Sequence, residues 1–258
     1  MKRRDFIKAS AIVATASAAG GVMASPTNPS VKKEIFEVRV YNYTSGGGKS
    51  KVDTFYQKAL IPYLNKNGVK VGAFGEYGMS EPPTGYFLLV YPSIADYLRL
   101  KNDPWNDKTF MEAAASYFES TAQTVSYFRY KTYLLEAFDG FPQLKFPSKE
   151  RKLIEMRTYE SNNEEAGQRK IKMFNSEEIS IFKSSGLNLV FFGEILAGPQ
   201  MPALMYMLSY EDMKERDEKW KKFGETNAWN QLKVKPEYAN TVSVVNKVFL
   251  VPLDYSQI

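Results

Sequence analysis

The 258 residues include no histidine and no cysteine. Zinc centres draw mainly on thiolate and imidazole ligands, so none is expected. Haem held by a proximal His or a Cys thiolate has no ligand here. Ser-His-Asp and Cys-His nucleophilic sets cannot be assembled. No disulfide can form, and no cysteine can carry a lipid. There is no G-x-G-x-x-G and no EF-hand loop. Reaction chemistry therefore falls to Asp, Glu, Lys, Arg, Tyr and Ser or to a bound cofactor, and no cofactor or metal is assigned.

Long apolar runs are also scarce. The one candidate lies at the start, where Met1 to Ala24 reads as an export signal. Its charged opening holds Arg3-Arg4-Asp5-Phe6-Ile7-Lys8, its small-residue apolar stretch runs from Ala9 to Met23, and Val22-Met23-Ala24 offers a cleavage site. The twin arginines resemble a Tat address, with an ordinary Sec signal as the other reading. The apolar stretch is short of the roughly 20 residues of a membrane span, so no stable anchor is expected after cleavage. The expected compartment is periplasmic or extracellular. The signal carries +3 of the formal +5, leaving +2 on the mature chain. That near-neutral balance gives no case for nucleic acid. A small-molecule ligand and self-association are the partners left open.

What is plentiful is aromatic, with 17 Tyr and 17 Phe, and it comes in duplicate. Glu37-Val38-Arg39-Val40-Tyr41 recurs as Glu155-Met156-Arg157-Thr158-Tyr159, an offset of 118 that also maps Gly68 onto Gly186 and Phe74-Gly75-Glu76 onto Phe192-Gly193-Glu194. The mature chain is a tandem repeat. In each copy the pattern predicts β-α-β-β-α-β, the ferredoxin-like order. The expected divisions are the signal 1–24, a spacer 25–32, repeat one 33–138, a linker 139–150 and repeat two 151–258. Asn67-Gly68 marks a helix end, and Pro62 is expected to kink the helix before it. Ser45-Gly46-Gly47-Gly48-Lys49-Ser50 reads as a strand-to-helix turn. It lacks the first glycine of a phosphate loop, since position 43 is Tyr43. Each such sheet covers one face with helices and leaves the other bare. The fold expected is therefore α+β, with the two ferredoxin-like sheets closing into one intrachain barrel.

Alternation along the strand separates Glu37, Arg39 and Tyr41 from Phe36, Val38 and Val40. The apolar set is expected to meet the helices. The polar set, with Glu155, Arg157 and Tyr159, is expected to face the barrel interior, and Glu76 and Glu194 to join it. Two readings follow. The first is a buried ion-pair network. The second is a pocket in which Arg39 and Arg157 grip an anionic oxygen and a glutamate serves as base. Trp105, Trp220 and Trp229 are expected to pack the second helices on the sheets.

These strands, with Asn67-Gly68 and Ser185-Gly186, the two Phe-Gly-Glu blocks and the segments from Arg99 to Asp103-Pro104-Trp105 and from Arg216 to Asn227-Ala228-Trp229, resemble the NIPSNAP family. The two Arg-to-Trp spacings differ. The resemblance implies a dimeric α+β barrel. It implies no defined reaction, since members of the family look like binding, trafficking or signalling proteins as often as enzymes. Three functions stand side by side: small-molecule or protein binding through a pseudo-symmetric barrel, a cofactor-independent oxygenase or isomerase with an Arg/Glu/Tyr site, and a pure interaction module. A cavity of roughly 300 Å³ or more lined by Tyr and Phe with converging Arg favours the first two.

Overall fold

The computed structural model describes residues 31–258 apart from Met79. The expected signal, and the spacer up to residue 30, lie outside the described residues.

Repeat one supplies β1 (Ile35–Tyr43), α1 (Gly46–Phe55), α2 (Ile61–Lys66), β2 (Lys70–Glu76), β3 (Thr84–Tyr91), α3 (Ile94–Asn102), α4 (Lys108–Phe118) and β4 (Tyr127–Ala137). Repeat two supplies β5 (Leu153–Glu160), α5 (Glu164–Met173), α6 (Ile179–Ser184), β6 (Asn188–Ala197), β7 (Ala203–Tyr210), α7 (Met213–Glu225), α8 (Asn227–Leu232) and β8 (Val244–Pro252). The expected ferredoxin-like order holds in both copies. The strands close into one barrel in the order β1-β3-β2-β8-β5-β7-β6-β4. Two antiparallel seams join the repeats: β2 with β8 from Phe74↔Pro252 to Glu76↔Leu250, and β4 with β6 from Leu134↔Ala197 to Ala137↔Gly193. Closure removes the bare faces and the exposed edges together.

Helix starts follow local chemistry. Ser45, Ser93, Asn163 and Asp212 cap α1, α3, α5 and α7 by accepting a backbone N–H three residues on. The three glycines after Ser45 form the first turn of α1, not a loop, and at Gly48 only glycine fits, because a β-carbon there would come within 2.2 Å of the Ser126 carbonyl oxygen. Gly68 and Gly186 end α2 and α6 with φ of 77° and 82°, where glycine is at ease. Between α1 and α2 the helix widens to five π-helical residues, Tyr56–Leu60. Pro62 does not cause this, since Phe174–Glu178 does the same in repeat two without a proline.

The linker is no free tether. Lys145 donates its backbone N–H to Val190, Leu144 donates to the Glu34 carboxylate, and Phe141 is buried against Phe192. Residues 253–258 do the same on β2, through Leu253 to Ala73 and Gln257 to Val71.

One expectation is reversed. Phe36, Val38 and Val40 enter the barrel, with Phe74, Leu88, Ile154, Met156, Phe191, Met205 and Leu250. Tyr41 and Tyr43 pack with Val52, Phe55 and Tyr56 of the first helix. Glu37, Arg39 and Tyr41 therefore lie under the helices, and so do Glu155, Arg157 and Tyr159. An eight-stranded barrel has an interior that side chains can fill, with room for one small ligand at most. Apolar side chains fill it without needing partners. Charged ones need donors and acceptors, and the helices supply them.

Candidate functional site

In repeat one, Arg39 holds Glu37 through Nε at 2.8 Å and Nη2 at 2.9 Å. Tyr91 donates to the same carboxylate at 3.1 Å, and so does Thr132. In repeat two, Arg157 sits on Glu155 with Nε at 2.8 Å and Nη2 at 2.7 Å, and Tyr210 donates at 3.2 Å. Two side chains of α7 complete this set. Arg216 donates through Nε at 3.2 Å and Nη2 at 3.0 Å, and Trp220 through Nε1 at 2.8 Å. The Trp220 ring also lies against the Arg157 guanidinium, 3.8 Å from its centre.

Burial pushes both carboxyls up, but the arginine charges and donated hydrogen bonds outweigh it. Glu37 and Glu155 end below the ordinary value of 4.5. A general base needs the opposite tuning. Each arginine turns Nε and Nη2 on its carboxylate, and Arg157 turns Nη1 on the Tyr159 hydroxyl, so the Glu–Arg sets are ion-pair networks and do not form one interior pocket. Tyr41 and Tyr159 close each set. Tyr56 donates to Tyr41 at 3.4 Å, and the hydroxyls of Tyr159 and Tyr206 lie 2.9 Å apart.

Glu76 and Glu194 do not join them, and they do not match each other. After Leu189 a β-bulge inserts one residue into β6, so Phe192 pairs with Tyr206 where Ala73 pairs with Phe87. A one-residue slip sends side chains to the opposite face. Phe74 fills the barrel while Phe192 packs under the helices. Glu76 accepts from Ser80 and Tyr86, whereas Glu194 accepts from Gln168 of α5 at 2.6 Å. Trp220 and Trp229 pack under the helices as expected. Trp105 instead stands 60% exposed against Phe118.

Two cavities deserve comparison with the expected pocket. One, about 260 Å³, opens at the barrel end near Asn42, Thr84 and Tyr86, with Met156 and Met205 beneath and Lys131 at its rim. The other, about 600 Å³, lies between the end of α4 and the start of β4, walled by Tyr117, Phe118, Tyr127, Phe128 and Tyr130 with Ser120 and Thr121 at its edge. It meets the size and aromatic criteria, but outside the barrel and without Arg39 or Arg157. The Tyr130 ring stacks on Tyr41 with centres 4.9 Å apart, so the groove wall is continuous with the first Glu–Arg–Tyr set. Its sequence signal is the aromatic density of Tyr117-Phe118 and Tyr127-Phe128-Arg129-Tyr130. Arg216 and Trp220 had the spacing of one helix face, i and i+4. Among the described residues no cluster of acidic side chains could hold a metal ion, and no helix is long and apolar enough to cross a membrane.

Solved structures share this architecture over nearly the whole chain. A candidate monooxygenase from Lactobacillus acidophilus NCFM is 12% identical, with 85% of this chain and 94% of that one covered at a TM-score of 0.57. A candidate monooxygenase from Fusobacterium nucleatum is 9% identical, with 88% and 100% covered and a TM-score of 0.56. An anthrone oxidase-like protein is 6% identical, with 87% and 93% covered and a TM-score of 0.50. At such identities the likeness is one of fold. No curated protein matches in sequence. The NIPSNAP family model matches residues 154–257, which span β5 to β8 almost from end to end. The second half of this barrel is therefore similar to the NIPSNAP family.

Proposed function

We propose that the protein binds a small, flat aromatic molecule in the groove of repeat one, and that it does so as an exported protein. The observation that carries the reading is the groove itself. Its volume of about 600 Å³ falls in the range of small-molecule sites, and its wall is aromatic with hydroxyls at the edge. The rings are braced from behind. Tyr117 stacks on Phe55 with centres 4.0 Å apart and bonds Tyr127 through its hydroxyl. Braced rings offer stacking surface at little entropic cost. Side chains fill the barrel interior except for the cavity of about 260 Å³ at one end, which is smaller than the groove and falls short of the roughly 300 Å³ expected of a small-molecule site. An oxygenase or isomerase run by Glu37, Glu155, Arg39 and Arg157 loses its support, because those groups neutralise one another.

Trp105 supplies the test, since its ring lies 5.6 Å from Phe118 at the groove rim while Trp220 and Trp229 pack in repeat two. In protein labelled with 5-fluorotryptophan, 2-naphthol should move the Trp105 fluorine resonance alone. Tyr130→Ala and Phe128→Ala should weaken that titration several-fold. An unmoved Trp105 signal, or an affinity indifferent to both substitutions, would overturn the reading. Export is tested separately, by the N-terminal sequence of protein recovered outside the cytoplasm, expected to begin at Ser25.

A further inference from the structure

A third cavity, about 400 Å³, lies between the 139–150 strap and the junction of α6 with β6. Its floor is Phe141, a buried ring held edge-on against Phe192. Two lysines reach that ring. Lys145 Nζ lies 5.5 Å from its centre and Lys183 Nζ 5.7 Å. Both side chains are exposed, and neither forms a salt bridge among the described residues. Arg151 also lines the cavity, but its guanidinium is taken by Glu215 at 3.0 and 2.9 Å, so it forms wall and not free charge.

The charge is not a requirement of the fold. At the repeat offset, Lys183 corresponds to Asn65, and the strap's counterpart, residues 253–258, contains no lysine. Nor is the site loose. The strap is tied to β6 by the Lys145 backbone N–H, and Lys183 stands in the last turn of α6. Two unneutralised ammonium groups beside a fixed aromatic floor suit a ligand with one negative group and one apolar body. We infer that this cavity binds a small organic anion, its carboxylate or phosphate held between Lys145 and Lys183 and its apolar part laid on Phe141.

Titration of the mature chain at low salt with benzoate, phenyl phosphate and phenol tests this, read by calorimetry and by NMR shifts of the Phe141 ring. At least one of the two anions should bind and move Phe141, and phenol should bind at least five-fold more weakly. Benzoate alone would mark a carboxylate site and phenyl phosphate alone a phosphate site. Lys145→Gln and Lys183→Gln should each weaken binding three- to five-fold, and the double variant about ten-fold. Lys108→Gln, an exposed lysine of α4, should change nothing. Equal binding of phenol, no binding of either anion, or affinities untouched by the lysine substitutions would overturn the inference. A response of Trp105 without one of Phe141 would do the same, since it places the anion in the repeat-one groove.

Discussion

The two halves of the barrel share a backbone plan and differ in how they satisfy the same buried acid. In repeat one, Glu37 is served by the sheet alone: Arg39 from its own strand, Tyr91 and Thr132 from the strands on either side. In repeat two, Glu155 also recruits α7 through Arg216 and Trp220. Counting from the helix caps Ser93 and Asp212, those positions in repeat one are Tyr97 and Lys101, which interact with each other instead. A second contrast lies on the first helices. Lys170 and Glu178 form a buried pair at 2.6 Å, where the repeat offset puts Val52 and Leu60. Repeat two is thus knitted through charge from helix to sheet. Repeat one holds its helices by apolar contact and the Tyr56–Tyr41 hydroxyl bond, without a buried charge, and it is the half with the open aromatic groove. Both copies keep the acid, and the copy without the α7 clamp is the one with the groove.

The sharpest way to break this comparison is to remove each acid. Glu155 is wholly buried among two arginines, a tryptophan and a tyrosine. Glu155→Ala strands the half-buried Arg157 and also removes the bonds from Trp220 and from Arg216, which keeps only Asp217; a loss of about 3–5 kcal/mol is expected. Glu37→Ala strands Arg39 alone and should cost less, about 2–3 kcal/mol, by the scale for a buried group left unpaired. Urea unfolding of both variants checks the order. Equal costs would mean that α7 adds nothing.

The Lys170–Glu178 pair permits a cleaner test, because the other half already shows the apolar solution. Lys170→Val alone leaves a buried carboxylate and should cost about 3–5 kcal/mol, while Lys170→Val with Glu178→Leu should be neutral or stabilising by about 1–4 kcal/mol. pH separates these acids by sign. Glu37 and Glu155 are held below 4.5 by their arginines and bonds, so their stabilisation is full above that value and is lost as pH falls through their lowered folded values. Burial raises Glu178 despite Lys170. Its folded form binds a proton first, so native stability gains as pH falls from the raised value towards 4.5. Unfolding free energies should therefore show the native protein gaining on the double variant as pH falls towards 4.5. Parallel curves would mean Glu178 titrates normally.

How much of this was legible follows from what kind of force sets each feature. Element order, the strand Leu153 to Glu160 and the stops at Gly68 and Gly186 are local, written in periodicity and in glycine's backbone freedom, and they could be read directly. Barrel closure was inferable from two sheets each with a bare face. The facing of Glu37 and Arg39 was not, because alternation says which residues share a face and never which face is inside. The Phe-Gly-Glu blocks misled for a similar reason. Their constant offset hid a bulge at Val190 that matters only through pairing with β7. The groove left only its aromatic density in the sequence, because the opening between α4 and β4 is set by how the two elements pack.

The smallest expected effect tests whether the halves solved one problem twice. Each set places a hydroxyl beside the tyrosine of its motif, but from different elements. Repeat one uses Tyr56 of the helix over Phe87 of the strand, stacked with centres 3.7 Å apart. At the repeat offset of the helix, Tyr56 becomes Phe174. By the strand pairing, Phe87 becomes Tyr206, whose hydroxyl takes over the bond to Tyr159. The hydroxyl has crossed the interface while the site kept it. Tyr206→Phe should cost about 1 kcal/mol, the net worth of one buried hydrogen bond. Adding Phe174→Tyr rebuilds the arrangement of repeat one and should recover part of that loss, a coupling that a double-mutant cycle measures directly. A cycle that closes additively would mean the two hydroxyls are not exchangeable, and that the resemblance between the halves stops at the backbone.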